Sequence, residues 1–232
     1  MKKLVNLLKK PVVAAGVFGL VVASGTASAN FGDFKFYAGA GVDYSNYKKS
    51  SSDLGTLKAN GVGVVVPVLG IKFHENFGLE AGYSFGKKLK YTQNNIEGSN
   101  INGNWNVKVR NVYLDLMGFV PVADQFELIG GIGLGRLMFK GDNINFTNVP
   151  AGANISSSVN YKNKTSWRVK LGAQYNFTNN FGVRALATYQ NVTSKANVNI
   201  NANNGAVHYS ESSTGKIVKN DKTIGLAAVY TF

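Results

Sequence analysis

Lys222-Thr-Ile-Gly-Leu-Ala-Ala-Val-Tyr-Thr-Phe232 closes the chain, and in it Ile224, Leu226, Ala228, Tyr230 and Phe232 alternate with Thr223, Gly225, Ala227, Val229 and Thr231. A period of two belongs to a β-strand, whose successive side chains point to opposite faces. An apolar file ending in two aromatics, opposed by a file of mostly small residues, is the pattern of a strand with lipid on one side and a narrow lumen on the other.

The start of the chain bears on the compartment. Lys2, Lys3, Lys9 and Lys10 precede an apolar stretch from Pro11 to Val22, and Ala27-Ser28-Ala29 supplies the small-x-small pattern of a signal-peptidase site. That apolar run is shorter than the roughly 20 residues a spanning helix needs. Residues 1–29 therefore read as a cleaved signal peptide, and residues 30–232 as one barrel domain. With no cysteine in the chain, neither a lipid-modified cysteine nor a disulfide is available. Cleavage leaves 21 basic and 12 acidic side chains, a formal charge of +9 against +13 for the whole chain. The basic residues are scattered through strands and turns of an exported protein, which argues against nucleic acid as a partner. Anionic lipopolysaccharide, or another polyanion at a cell surface, is the better counter-charge. Beyond residue 29 no run of about 20 apolar residues occurs, so only a closed barrel could cross a bilayer.

Alternation recurs along the mature chain in segments of roughly the 9 to 11 residues that a tilted strand needs. The outward files are Phe34 to Tyr44 in even positions, Phe77 to Phe85 in odd ones, then Val112, Leu114, Leu116 and Val120, followed by Leu128, Ile132 and Leu134. Trp167 to Phe177, Phe181 to Tyr189 and the terminal file complete the clear cases. Residues 61–73 make an eighth strand, in which Val62 to Val68 do not declare which parity faces lipid; Pro67 lacks a ladder donor and invites a bulge there. Short turns at residues 74–76, 122–125 and 178–180 alternate with long polar stretches at about 46–59, 91–106, 140–164 and 191–220. That is the connectivity of an all-β, eight-stranded antiparallel up-and-down transmembrane barrel with short periplasmic turns and long outer loops. A soluble barrel would need an apolar inner file. Here the inner file carries Gly, Ser, Lys, Arg, Glu and Gln, and aromatics flank the short turns as an interfacial girdle.

Asn180-Phe-Gly-Val-Arg-Ala-Leu-Ala-Thr-Tyr189, Asn76-Phe-Gly-Leu-Glu-Ala-Gly-Tyr83, Leu128-Ile-Gly-Gly-Ile-Gly-Leu-Gly135 and Tyr230-Thr-Phe232 resemble the small outer-membrane β-barrel family of opacity-type surface antigens and the OmpA transmembrane barrel. The resemblance covers essentially the mature chain. It implies an architecture shared by adhesins, structural barrels and narrow channels, without a common catalytic motif. It also implies that the last strand, through Leu226, Tyr230 and Phe232, is read by the barrel-assembly machinery. The chain ends at Phe232 where OmpA continues, so no periplasmic peptidoglycan-binding domain is expected.

Charged residues fall on the inner file at Lys35, Glu80, Asp115, Glu127, Arg168, Lys170 and Arg184. A barrel of eight strands is only wide enough for its own side chains, so these charges are expected to pair as a plug. Depth counted from the turns brings Glu80 to Arg184 and Asp115 to Lys170. A narrow ion or small-solute channel is the competing reading. Gly131-x-Gly133-x-Gly135 lies in a strand rather than at the start of a helix, so it makes room for neighbouring side chains and does not cradle a phosphate. Neither a cofactor nor a metal is expected. Catalysis has little to draw on: of two histidines, His74 sits in a periplasmic turn and His208 in the last long loop. The Asn-x-Ser/Thr matches at Asn145 and Asn154 are what chance yields in an Asn-rich chain.

Function is left to four outer loops, expected to be mobile, basic and rich in Asn, Ser and Gly. Trp105, Phe146, Ile96, Val149, Val207 and Tyr209 are the contact-forming residues in them. Lys48, Lys49, Lys58, Lys87, Lys88, Lys90 and Lys140 lie near the outer strand ends, where lipid phosphates would be neutralised. The expected protein is an adhesin-like or structural surface barrel. Its expected partners are outer-membrane lipid and lipopolysaccharide, the assembly machinery, and host surface proteins or glycans.

Overall fold

The computed structural model describes residues 34–48, 56–58, 60–93, 101–149, 151–203 and 208–232, so the signal segment at 1–29 lies outside the described residues. The described residues form eleven strands: β1 Lys35–Lys48, β2 Thr56–Lys58, β3 Asn60–His74, β4 Phe77–Gln93, β5 Asn102–Ala123, β6 Phe126–Gly141, β7 Asn145–Thr147, β8 Asn154–Tyr161, β9 Lys164–Asn176, β10 Phe181–Asn203 and β11 His208–Thr231. Among the described residues, β1, β3, β4, β5, β6, β9, β10 and β11 pair in sequence as antiparallel neighbours, and β11 returns to β1 to close a ring of eight. Tyr230 lies opposite Ala38 in that closing pair, and the Phe232 amide donates to the Phe36 carbonyl over 2.9 Å. Closure matters physically because a bilayer supplies no hydrogen-bond partner for a strand edge. Tight connections at Glu75-Asn76 and Asp124-Gln125, and four residues at 177–180, join the strands on one side.

The lower half of the wall is apolar outside. Leu171 is 71% exposed, Ile224 67% and Leu134 59%, whereas Glu80 and Arg184 on the inner file are each 1% exposed. The facing of Val62 to Val68 is decided by a register shift between Val65 and Val68, present in both ladders of β3. Gly63 and Val65 face the lumen before it; Val68, Gly70 and Lys72 face the lumen after it. A bulge inserts one residue and so exchanges the parity of everything beyond it.

Where they are described, the long polar stretches are largely strand. β4 runs to Gln93, β5 starts at Asn102, and β10 and β11 continue as a hairpin to Asn203 and His208, with β8 paired along β10. In these extensions the alternation persists with its polarity inverted. Tyr47, Leu89, Tyr91, Trp105, Val107, Val109, Leu137, Phe139, Val192, Ala196, Val198 and Val218 point inward and form one buried cluster, while Lys88, Lys90, Asn104, Lys108 and Arg110 point out to water. The protein is therefore built in two storeys. The lower one is inside-out for lipid; the upper has the apolar interior of a water-soluble barrel.

Candidate functional site

Every second residue of a strand faces inward, so the lumen is a stack of layers, each supplied by all eight wall strands at similar depth. From the end that carries the tight turns, the first continuous layer is apolar: Tyr37, Val68, Met117, Phe119, Ile129 and Val229. Above it lie the charges. Lys170 Nζ stands 2.8 Å from Glu80 Oε1 and 2.6 Å from Asp115 Oδ2, and Arg168 Nε lies 3.4 Å from Asp115 Oδ1. Arg184 Nη1 pairs with Glu80 Oε2, to which Tyr37 also donates its hydroxyl over 3.0 Å. Gln174 accepts the Arg184 Nε–H at 3.0 Å, and the Arg168 guanidinium sits 3.9 Å above the Tyr113 ring. Burial of charge is tolerable when each ion is paired and its remaining donors are met.

Glycines on the inner file make this density possible. A Cβ on Gly70 would fall 2.0 Å from the Tyr37 ring, and one on Gly133 would fall 2.3 Å from an Asp115 carboxylate oxygen. Above the charges remains a cavity of about 60 Å3, with room for only a few waters. Its upper wall carries a second pair: Lys87 Nζ lies 2.8 Å from Asp43 Oδ2 and donates to Ser45 Oγ at 2.7 Å, and Ser84 donates to Asp43 at 3.0 Å. Next comes the apolar roof, where Trp105 is 3% exposed and stacks on Tyr91 at 5.0 Å. Burial raises the Tyr91 phenol pKa far above its ordinary value, keeping it neutral.

Of the seven inner charges read from the sequence, Glu80, Asp115, Arg168, Lys170 and Arg184 share one connected group. Glu127 stands apart, bonded to Lys72 Nζ at 3.0 and 3.1 Å at the tight-turn end. Lys35 belongs to neither: it is exposed at the mouth, opposite Lys72, whose carboxylate partner is already engaged. Lys87 is a second correction, since it is 2% exposed in the lumen and not among lipid phosphates. The cause is a shift in register between Ser84 and Lys87 at Gly86, whose φ of 87° favours glycine. Trp105 and Phe146 are likewise parts of the roof and not exposed contacts. Ile96 and Val207 lie outside the described residues, as does Lys49, and nothing of the side chains of Lys48, Lys58 and Tyr209 is described. His74 is exposed at the end of β3, and His208 opens β11.

Lys72, Lys87, Asp43 and Asp221 are the inward charges that the sequence reading left out of the lumen group. With them the enclosed acids Asp43, Glu80, Asp115, Glu127 and Asp221 are matched by Lys72, Lys87, Arg168, Lys170 and Arg184. Leu226 and Tyr230 lie on the outward file of β11 and Phe232 follows directly after its end, with Tyr230 and Phe232 packed edge to face at 5.2 Å.

The model of the family described as "Outer membrane protein beta-barrel domain" matches residues 13–232. A candidate adhesin of Rickettsia bellii (strain OSU 85-389) is 28% identical over 209 residues, 83% of this chain and 89% of that protein. Among solved structures, the outer membrane protein OprG from Pseudomonas aeruginosa superposes with a TM-score of 0.59 at 14% identity, covering 85% of this chain and 95% of that one. A major outer membrane protein from Thermus thermophilus gives 0.51 at 12% identity, covering 87% of this chain and 100% of that one.

Proposed function

Because the chain belongs to the outer membrane protein β-barrel domain family and is an outer-membrane protein with strands crossing the bilayer, we propose that it works as a closed, adhesin-like surface barrel and not as a channel or an enzyme. The candidate adhesin of Rickettsia bellii supports the adhesive role. One observation carries the reading: the wall continues past the lipid belt as paired strands around their own apolar core, and so raises a stiff polar surface above the membrane. A pore has no need of such a core. A binding surface does, because contacts held by rigid strands lose little conformational entropy on association.

The surface offered at the top is the outer face of β8, β10 and β11, where Asn197, Asn199 and Asn201 align with Thr214, Ser212 and Ser210 on one side and Asn160, Ser158 and Ser156 on the other. Side-chain bonds at 2.9 Å between Thr214 and Asn197 and at 2.8 Å between Ser210 and Asn201 hold this array in place. Host proteins or glycans are the partners that such donors and acceptors would meet. Bacteria displaying the barrel should adhere to a host-cell monolayer better than bacteria lacking it. Exchange of Asn199, Asn201 and Ser212 for lysine should remove most of that gain with surface expression intact. Equal adhesion with and without the barrel would end the adhesin reading.

Leu226, Tyr230 and Phe232 serve assembly in this reading, as the outward apolar file at the end of the strand that closes the ring. Phe232→Ala should lower the amount of barrel inserted in the outer membrane, read by surface labelling against total protein.

A further inference from the structure

On the outer face of β4, β5 and β6, Lys88 lies directly opposite Lys108, and Lys108 directly opposite Lys140. Lys90, Arg110 and Arg136 flank this row, and all six are exposed. None of them makes an ion pair among the described residues. Like charges directly opposed across a sheet destabilise it, so the row is a liability unless an external anion sits on it.

Its height selects the anion. Arg110 stands two residues beyond Val112, the last outward apolar residue of β5, and Arg136 two beyond Leu134 on β6, where Met138 is the one outward apolar residue that follows, opposite Arg110; Val112 and Leu134 are 45% and 59% exposed. The row faces sideways at the level where outer-leaflet headgroups begin, below the polar tip. We propose that Lys88, Lys108 and Lys140, with Lys90, Arg110 and Arg136, form a docking site for the phosphorylated headgroup of an outer-leaflet glycolipid. The aliphatic stems continue the apolar belt and the ammonium groups meet the phosphates. This site needs only the membrane placement of the barrel and is independent of the adhesive role.

The test uses the full barrel in phosphatidylcholine nanodiscs doped with bis-phosphorylated lipid A, the retained lipid A being counted by native mass spectrometry. Wild type should retain it, and dephosphorylated lipid A should not be held. Lys88→Ser/Lys108→Ser/Lys140→Ser should weaken retention by roughly a hundredfold, while Lys195→Ser/Lys216→Ser, a like-charged pair higher on β10 and β11, should leave it unchanged. In discs of phosphatidylcholine alone the triple variant should unfold at higher urea than wild type, which shows that it folds and that the repulsion is real. Equal retention of dephosphorylated lipid A, or undiminished retention by the triple variant, would overturn the site. So would capture of a soluble heparin fragment through the same three lysines when lipid A is not retained.

Discussion

Glu80 holds two cations and a phenol inside a space without bulk water, and that makes it the residue on which the lumen most depends. Glu80→Ala leaves Arg184 buried without a carboxylate and Lys170 with Asp115 alone, and removal of one partner from a buried pair costs about 3–5 kcal/mol. Urea unfolding of the barrel in detergent should show a loss of that order, with Lys35→Ala at the exposed mouth showing none. A loss below about 1 kcal/mol would mean that the charges are solvated, contrary to their burial. Gly70→Val drives a side chain into the Tyr37 ring, and overpacking of that kind costs roughly 1–3 kcal/mol in the same titration. The alignment of Glu80 with Arg184 and of Asp115 with Lys170 could be counted from the sequence, because short turns anchor the register of neighbouring strands. Lys72 and Lys87 could not be placed that way. Both lie beyond bulges, where a single extra residue turns an inward position outward.

At the scale of the element, β5 carries the two-storey plan on one uninterrupted strand of 22 residues. At about 3.3 Å per residue and a tilt near 40°, it rises roughly 55 Å, about twice the height of an apolar belt. From 103 to 119 its odd positions face inward, yet they change from Tyr113, Asp115 and Met117 to Trp105, Val107 and Val109, while even positions change from Val112 and Leu114 to Lys108 and Arg110. Val107→Asp should open the roof without breaking the belt. Limited trypsin digestion should then cut at Lys88 or Lys108 while the barrel keeps its folded mobility on an unheated gel. Resistance equal to wild type would show that the upper storey does not depend on its core. β4 reaches the same plan only through Gly86. Its deletion would turn Leu89 and Tyr91 out to water and Lys88 into the roof, and the variant should fail to give the compact folded band that wild type gives. The alternation that builds the upper storey is present in the sequence, at Lys88-Leu-Lys-Tyr-Thr92 and Trp105-Asn-Val-Lys-Val109. It escapes a search for lipid-facing strands because its polar residues take the outward file.

Taken as a whole molecule, the lumen is blocked at three levels: an apolar floor, a neutralised layer of charge and an apolar roof. An ion would have to shed its hydration at two of them, a step far more expensive than any pairing in the middle could recover. Planar bilayers holding the purified barrel should therefore show no stable ohmic conductance, and steady steps that scale with voltage would defeat the closed reading. The sequence by itself determined the eight strands of the ring and their antiparallel order, the lipid-facing files and the outer-membrane setting, because a period of two and the bilayer's refusal of unpaired backbone act on local pattern alone. Only the tertiary structure decided that the described parts of the outer stretches are wall, that Trp105 is core, and that Lys87 is enclosed while Lys88, Lys108 and Lys140 stand in one row. Those outcomes depend on bulges and on the register between strands distant in sequence, and cross-strand register exists only once the ring has closed.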